Sequence, residues 1–402
     1  VKARRALEEL GPLARHYDAV IANPPYFGSG SMNPWMSKWV KKNYPDGKAD
    51  LFAAFICRGF SLADERGYSA MVTMQSWMFL SSFENLRKSI IETKTIANMA
   101  HLGARAFDAI SGEVVQTTAT ALLNDYQNAR GGYVRLVDPL GEAAKSAALR
   151  EAIRITECGW FYRANQQDFK KIPGSPIAYW ASDSVFQAFT TDVTLSQVAQ
   201  PRQGLATADN NRFLRLWWEP SRCSTGFNLS SREETINSSY KWFPMTKGGE
   251  FRKWYGNLSY LVNWEDDGYE IRHFVDINGK QKSRPQNMAY YFREGISWSA
   301  ISSGDFAMRY VPKGCISNAK GPMCFGDLNV LIPVLGIMNS VVVGNFLKYL
   351  APTLDYSEGP IGKVPLAKIQ DEACQIVVQQ VVTSCINHSK TDWNSYETSW
   401  DF

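Results

Sequence analysis

The sequence predicts an α/β fold over about residues 1–140, followed by a mixed α+β region. Two observations predict it: apolar strand-like and helical runs alternate in the first part, and composition changes after Pro173-Gly174-Ser175-Pro176. At 402 residues, 45% apolar and 20% charged, the chain can form two or three packed domains. We expect an α/β domain over 1–150, a connector over 151–195, a mixed domain over 196–366, and over 367–402 a C-terminal helix with the start of a following segment.

The predicted elements of the first domain are separated by turn residues. An apolar run at 18–22 stops at Asn-Pro-Pro and is typical of a buried strand. Apolar residues at helical spacing predict a helix over 50–64, and Ser81 or Ser82 as a cap predicts another over 81–93. Because strands and helices alternate, we expect a mainly parallel sheet. The other predicted elements are helices at 1–16, 330–350 and near 371–387, and strands at 68–74, 96–102, 114–123 and 133–137.

The composition excludes several classes of protein. Lys+Arg minus Asp+Glu is 43 − 39 = +4, which is too mild for a polybasic protein and leaves room for a local basic surface. Seven cysteines without a CxxC pair, and four histidines without an HExxH arrangement, predict neither a disulfide framework nor a metal site. Polar residues interrupt the apolar stretch 330–350, which predicts a buried helix and no membrane span. We therefore expect a cytoplasmic chain.

The tetrapeptide Asn23-Pro24-Pro25-Tyr26 directly follows the first predicted strand. Two prolines fix the backbone into a rigid corner at the carboxyl end of the strand, where open α/β sheets bind their ligands. The Asn23 amide oxygen and the Pro24 carbonyl oxygen can each accept one N–H of the amine of a flipped base, and Tyr26 can stack on that base. Methyl transfer to such an amine would need positioning and electrostatics. The alternative is a strand-ending turn with a core tyrosine.

The segment Tyr26-x-Gly28-x-Gly30 has the aromatic-and-glycine pattern of a loop that binds S-adenosylmethionine. It comes after the proline corner and not after an earlier strand. We therefore predict a flexible loop that closes over the base.

Several dispersed motifs carry a family resemblance. NPPYFGSGSMN, KADLFAAF and VTMQSWMFLSSFENLRKSI are followed by QGLATADNNRFLR, KGGEFRKWYGN, YYFREGISWS and the segment 351–365. This series resembles the PglX-type adenine-specific DNA methyltransferases of BREX phage-defence systems and, more broadly, gamma-class N6-adenine methyltransferases fused to a specificity domain. The resemblance implies the C-terminal half of a Rossmann-like methyltransferase sheet followed by a mixed α+β target-recognition domain. It also implies S-adenosylmethionine as cofactor, with double-stranded DNA and other phage-defence proteins as partners.

The resemblance also implies roles for individual residues. Asn23, Pro24, Pro25 and Tyr26 would form the catalytic corner. The segment Asp50, Leu51 and Phe52 would lie beside the adenine and the cofactor. Phe107 would be a second aromatic against the flipped base, with ordinary core packing as the alternative.

One feature departs from the pattern of this family, in which the glycine loop for the cofactor precedes the proline corner by several βα units. Only 22 residues precede Asn23. We therefore expect an internal fragment of a longer polypeptide that lacks the main cofactor loop and binds S-adenosylmethionine poorly. Micromolar binding in a calorimetric titration of the 402-residue chain would contradict this expectation.

Basic and amide side chains predict DNA contacts in three places. The segment 204–213 combines small residues, amides and arginine, with a Gly-Asx turn as the alternative interpretation. A second basic cluster lies beside Trp254, and lysines follow the catalytic corner; solvated surface is the alternative for both. The predicted DNA-binding residues are Thr207, Asn210, Asn211, Arg212, Lys247, Arg252, Lys253, Lys41 and Lys42, with Lys38 and Lys48 beside the last two.

Three other functions remain open at the level of sequence. A restriction–modification fusion would need nuclease carboxylates, but Asp46 and Glu92 lie inside predicted methyltransferase elements and are interpreted as chance matches. A specificity module without activity is the second alternative. N4-cytosine methylation is the third, because it uses the same corner chemistry.

Overall fold

A computed structural model describes most of the chain, which forms two compact units, Val1–Thr190 and Thr191–Phe402. The described residues are 11–12, 14–108, 115–191, 193–236, 238–302, 304–352, 355–367 and 372–402. The predicted helix at 1–16 therefore lies largely outside them.

The first unit is built on a six-stranded sheet with the order β1-β2-β4-β3-β5-β6. Its strands are β1 Tyr17–Ala22, β2 Ala63–Met74, β3 Thr95–Gly103, β4 Thr117–Leu123, β5 Arg130–Arg135 and β6 Phe161–Asn165. Its helices are α1 Pro34–Asn43, α2 Leu51–Leu62, α3 Glu84–Thr93, α4 Glu142–Arg154 and α5 Asp183–Thr191, with 3₁₀ turns at Pro45–Gly47, Gln75–Met78, Ser81–Phe83 and Gln166–Lys171.

The prediction of a mainly parallel sheet is wrong. Strands β1 and β2 are parallel, as are β3 and β5, whereas β2–β4, β3–β4 and β5–β6 are antiparallel. Helix α2 links β1 to β2 and returns the chain to the same end of the sheet. Between β3 and β4 the described residues, 104–108 and 115–116, form no helix, and the two strands run antiparallel.

The first strand is also more exposed than its apolar sequence predicts. It lies at the edge of the sheet, with β2 as its neighbour, and Ile21 is 81% exposed. The residues predicted as a connector, 151–195, contribute β6 to the sheet.

Two helices of this unit begin in different ways. Asp50 caps α2, because its carboxylate accepts the Phe52 N–H. The cap predicted for the next helix is wrong, because Ser81 and Ser82 form a 3₁₀ turn and α3 begins after Phe83 without a side-chain cap. Glu84 occupies the first turn of α3, as predicted.

The second unit consists of short strands and helices. Its sheets have the orders β10-β11-β9, β13-β12-β14-β8 and β15-β7. The strands are β7 Val193–Thr194, β8 Gln200–Arg202, β9 Leu214–Leu216, β10 Trp242–Met245, β11 Tyr260–Asn263, β12 Gly295–Trp298, β13 Met308–Val311, β14 Met323–Phe325 and β15 Pro365–Leu366. The helices are α6 Leu195–Val198, α7 Asn210–Phe213, α8 Glu233–Ile236, α9 Glu265–Arg272, α10 Leu328–Met338, α11 Val341–Leu350, α12 Glu358–Gly362 and α13 Glu372–Trp393, with 3₁₀ turns at Arg222–Ser224 and Met288–Tyr290.

The long helix predicted at 330–350 is instead the pair α10 and α11, bent by 81°. The break falls where Asn339 ends α10 and the Ser340 hydroxyl caps α11 by accepting the Val343 N–H. Among the described helices, none is by itself long and apolar enough to cross a membrane, although the bent pair meets the length and composition criteria together.

Candidate active site

The proline corner lies where the sequence predicts it, directly after β1. Because β1 and β2 are parallel, Asn23 lies at the same edge of the sheet as Gln75, which follows β2. The Asn23 side chain is exposed, while Pro24 is buried. The corner thus anchors itself through a proline ring and leaves the asparagine amide open to a ligand.

The Tyr26 ring is held mainly by packing. It meets the Phe52 ring edge-on, with 6.2 Å between centroids. The Tyr26 hydroxyl lies 3.5 Å from Asn23 Oδ1 and 3.4 Å from the Val72 carbonyl oxygen, at the long limit for hydrogen bonds. Burial raises the pKa of Tyr26, so its hydroxyl stays protonated. The geometry suits a stacking ring and does not make this hydroxyl a base.

Asp50 and Phe52 support the corner from behind. One carboxylate oxygen of Asp50 accepts the Phe27 N–H at 2.9 Å and the Phe52 N–H at 3.3 Å, which ties the loop after the corner to the start of α2. Phe52 is 0% exposed and packs between Tyr26 and Phe83. The burial of Phe52 gives its ring the role of supporting Tyr26, and its predicted place beside the adenine stays a prediction.

The loop predicted as flexible is attached at its beginning. The Ser29 N–H donates to the Ala49 carbonyl oxygen at 2.9 Å, and the Leu51 N–H donates to Phe27 at 3.1 Å. Gly28 forms a β-bridge with Asp50. Any closure over a base would therefore involve residues after this bridge.

A buried polar network at the same sheet edge escaped the sequence analysis. His101, near the end of β3, has one ring nitrogen 2.7 Å from Gln75 Oε1 and the other 3.0 Å from the Tyr179 hydroxyl. The Gln75 amide in turn donates to Gln116 Oε1. Burial lowers the pKa of His101 to about 3, so the imidazole is neutral. No local sequence motif predicts this network, because its members are dispersed along the chain.

The aromatic residues near the corner differ in exposure. Phe107, which follows β3, is 37% exposed, and its role against a base stays a prediction. Trp35 and Trp39, which the sequence analysis missed, are exposed on α1 and stack at a centroid distance of 6.5 Å. Their spacing of four residues on a helix that also carries lysines was the available signal.

The lysines that follow the corner are open to solvent. Lys38, Lys41 and Lys42 lie on α1, the last two in its final turn, and Lys48 lies just before α2. All four are exposed, and their contact with DNA stays a prediction.

In the segment 204–213, the Gly-Asx turn of the alternative interpretation is not formed, and residues 210–213 form the short helix α7. Asp209 caps it by accepting the Arg212 N–H at 3.0 Å. Thr207 is 4% exposed and its hydroxyl donates to Asn210 Oδ1 at 2.6 Å, which supports the loop; its contact with DNA stays a prediction. Asn210 and Asn211 are exposed. The Arg212 guanidinium forms an ion pair with Glu270 at 2.7 Å.

The second basic cluster is also engaged within its own unit. The Lys247 ammonium lies 4.0 Å from the centre of the Tyr260 ring. Arg252 forms an ion pair with Asp392, and the Lys253 ammonium donates to the Asn339 carbonyl oxygen at 2.8 Å. These contacts give the three residues structural roles, and their contact with DNA stays a prediction.

The described residues fit the amine that accepts a methyl group better than they fit the cofactor. Asn23 and Pro24 supply oxygen acceptors, whereas residues 11–12 and 14–22, just before the corner, form a helical turn and β1 and contain no glycine loop. Within the part of the chain that the structure describes, no group of three His, Cys, Asp or Glu residues is placed to hold a metal ion. The carboxylates considered for a nuclease lie apart from one another in sequence, Asp46 in a 3₁₀ turn and Glu92 on α3.

Comparisons with known proteins agree with this geometry. A family model described as Eco57I restriction-modification methylase matches residues 5–107. The chain is 42% identical over 394 residues to the adenine-specific methyltransferase PglX of Lacticaseibacillus casei (strain Zhang), covering 97% of this chain and 32% of the relative. It is 40% identical over 414 residues to the adenine-specific methyltransferase BrxX of Escherichia coli O9:H4 (strain HS), covering 100% of this chain and 32% of the relative.

A solved structure shares the fold. The type IIL restriction-modification enzyme MmeI, solved in complex with DNA, matches 95% of this chain and 50% of its own, with a TM-score of 0.59 and 12% identity. At that identity the likeness shows the fold alone. The chain spans about one third of the length of the curated relatives that it matches. The predicted resemblance is confirmed: this chain is homologous to one part of the PglX-type adenine-specific methyltransferases.

Proposed function

We propose that this chain carries the catalytic corner and the target-recognition region of a site-specific DNA adenine methyltransferase, which transfers a methyl group from S-adenosylmethionine to N6 of a flipped adenine. The observation that carries the proposal is the corner Asn23-Pro24-Pro25-Tyr26, open at the carboxyl end of β1 and supported by buried Phe52. The names of the curated relatives support adenine as the methylated base and BREX-type phage defence as the setting.

The corner acts on the amine by accepting its hydrogen bonds. The Asn23 Oδ1 and the Pro24 carbonyl oxygen each accept one N–H, which increases electron density on N6 and orients its lone pair. The Tyr26 ring stacks on the adenine and fixes its plane. S-adenosylmethionine supplies an electrophilic methyl group when bound, and we propose that its main binding loop comes from outside the described residues.

The two units divide the work in this proposal. The first contributes the C-terminal part of a Rossmann-like methyltransferase sheet, and the second recognises double-stranded DNA. The MmeI structure, solved in complex with DNA, supports DNA as the partner. Other phage-defence proteins as partners, and action in the cytoplasm, belong to the same proposal.

The decisive experiment measures methyl transfer by the full-length gene product and compares Asn23→Ala with the wild type. We expect a loss of about 10²–10³-fold, the usual effect of removing one aligned hydrogen-bonding group that stabilises a transition state. Asn43→Ala is the matched control, because Asn43 is an exposed asparagine of the same unit whose amide donates to the Trp39 carbonyl oxygen of its own helix. Retained activity of a folded Asn23→Ala protein would contradict the proposal and favour a specificity module without activity.

A second pair of variants separates the ring of Tyr26 from its hydroxyl. Since both hydroxyl contacts are long, Tyr26→Phe should retain most activity. Tyr26→Ala should lose about 10- to 100-fold, because base stacking on an aromatic ring contributes roughly 1–3 kcal/mol. Methylome sequencing of the host with and without the gene identifies the modified base. Methylated cytosine in place of adenine would contradict the adenine assignment and leave the corner chemistry intact.

A further inference from the structure

A basic hairpin in the second unit presents an apolar residue at its tip. Residues 274–282 fold back on themselves, with a β-bridge between Val275 and Gln281. The tip residue, Ile277, is 100% exposed. A single exposed apolar side chain is common on protein surfaces, so Ile277 is informative only together with the turn that holds it and the charges around it.

The tip is held rigid by one carboxylate. Asp276 Oδ1 accepts the N–H groups of Asn278 and Lys280, both at 2.9 Å. The Asp276 N–H donates to the Lys280 carbonyl oxygen at 2.8 Å, and the Gly279 N–H donates back to Asp276 at 3.0 Å. Gly279 has a φ of +77°, a conformation that glycine adopts without strain. The exposed isoleucine is therefore presented by an ordered turn.

The base of the hairpin is joined to the segment 204–213. Arg284 and Ala206 exchange two backbone hydrogen bonds, of 2.8 and 3.0 Å. The Arg212 guanidinium lies 5.0 Å, and the Lys282 ammonium 4.6 Å, from the centre of the Phe274 ring. The residues predicted from sequence to read DNA and the hairpin thus belong to one surface.

The charges around the tip favour a polyanion. Lys280, Lys282 and Arg284 are exposed, while three carboxylates of residues 267–276 are engaged inside the unit. Asp276 accepts the turn N–H groups, and Glu270 pairs with Arg212 and accepts from the Asn263 amide at 2.7 Å. Asp267 is bound by Arg232 and Arg272. A rigid apolar tip beside exposed cations has the chemistry of wedges that enter between base pairs while lysines hold the flanking phosphates.

We propose that the hairpin 274–282 is a DNA wedge: Ile277 inserts between stacked bases of the bound duplex and kinks it, and Lys280, Lys282 and Arg284 bind the neighbouring phosphates. The proposal rests on the DNA-binding role proposed above. It assigns to the second unit a deformation of DNA in addition to base readout, so that recognition depends on how easily the site bends.

The test measures DNA bending and affinity with the full-length gene product. The DNA is a duplex that contains the sequence that the enzyme methylates, with a donor dye at one end and an acceptor dye at the other. It is titrated with wild type, Ile277→Ala and Ile301→Ala. Ile301 is the matched control, because it is an isoleucine of the same unit and is 59% exposed. It forms a β-bridge with Asp355 and has no lysine close to it in the sequence. We expect a kink of about 20–90° with wild type and Ile301→Ala, and its loss, with about tenfold weaker binding, for Ile277→Ala.

The lysine variants should show the opposite pattern from Ile277→Ala. The double variant Lys280→Ala with Lys282→Ala should retain the kink, while the slope of log K against log salt falls by about two. Ile277→Ala should leave that slope unchanged, because it removes no phosphate contact.

Equal bending and affinity for Ile277→Ala and wild type would overturn the wedge and leave the methyltransferase proposal standing; the hairpin would then be free for a protein partner. A wild-type protein that binds no duplex at all would overturn both.

Discussion

The corner Asn23–Tyr26 and the segment 204–213 are two short polar loops that look equally functional in the sequence, yet they differ in the structure. At the corner, Asn23 is exposed and its amide oxygen has one long contact, with Tyr26. In the segment, Thr207 is buried and Arg212 is paired with Glu270. A rigid covalent geometry leaves its polar groups free, whereas a loop shaped by hydrogen bonds uses part of its polar groups for its own fold.

The largest expected effect tests whether the corner depends on its buried support. Phe52→Ala removes a ring that is 0% exposed and contacts both Tyr26 and Phe83, so we expect a loss of roughly 3–5 kcal/mol in the free energy of unfolding. Urea denaturation measures it. Phe55→Ala, on the same helix but 39% exposed, should cost much less. Equal effects would mean that proline geometry alone maintains the corner.

The sheet edge that carries the corner also holds a buried imidazole, a feature that segment 204–213 lacks. Burial lowers the pKa of His101 to about 3 from its ordinary value of 6.5. Between these two pH values the unfolded chain therefore binds one more proton than the folded chain. The contribution of His101 to the free energy of unfolding is fully present above about pH 6.5 and decreases as the pH drops toward 3, by about 1.4 kcal/mol per pH unit. Urea midpoints between pH 7 and pH 5 check this. His101→Gln should flatten the dependence, and His388→Gln, at an exposed site, should not.

A smaller effect tests how the loop after the corner is held. Asp50→Ala removes the acceptor of the Phe27 and Phe52 N–H groups and should cost about 1 kcal/mol, as for other helix caps. Because this carboxylate ties the loop to α2, the rate of methyl transfer should fall by more than the loss of folded protein accounts for. Asp50→Asn, which keeps an oxygen acceptor, should restore most of both. A variant that loses activity with Asn as well as with Ala would instead indicate contact of the carboxylate with a ligand.

The smallest expected effect concerns the segment. Arg212→Ala should weaken DNA binding by less than tenfold and lower the salt slope by about one, because Glu270 already shares its charge. Glu270→Gln should leave binding unchanged or strengthen it by releasing the guanidinium. Unchanged affinity of Arg212→Ala across a salt titration would remove the segment from the DNA interface.

The limits of sequence reasoning are visible in particular elements. Helix α2 was predicted within two residues at each end, because its apolar spacing and its Asp50 cap are local. The helix predicted at 330–350 is two helices, because Ser340 caps a second one and Asn339 bonds to Met308 across the fold. The exposure of β1 was missed, since an apolar run does not reveal how many neighbours a strand has.

The sequence by itself determined the corner, because proline fixes the backbone through covalent bonds and the order Asn-Pro-Pro-Tyr dictates which groups meet there. It also showed the resemblance to the PglX-type methyltransferases, which no packing detail was needed to recognise. Only the tertiary structure decided that Phe52 supports Tyr26 from the core, that His101 joins Gln75 and Tyr179, and that Ile277 stands free on a basic hairpin. Burial and contact depend on residues far apart along the chain, and local pattern carries no record of them.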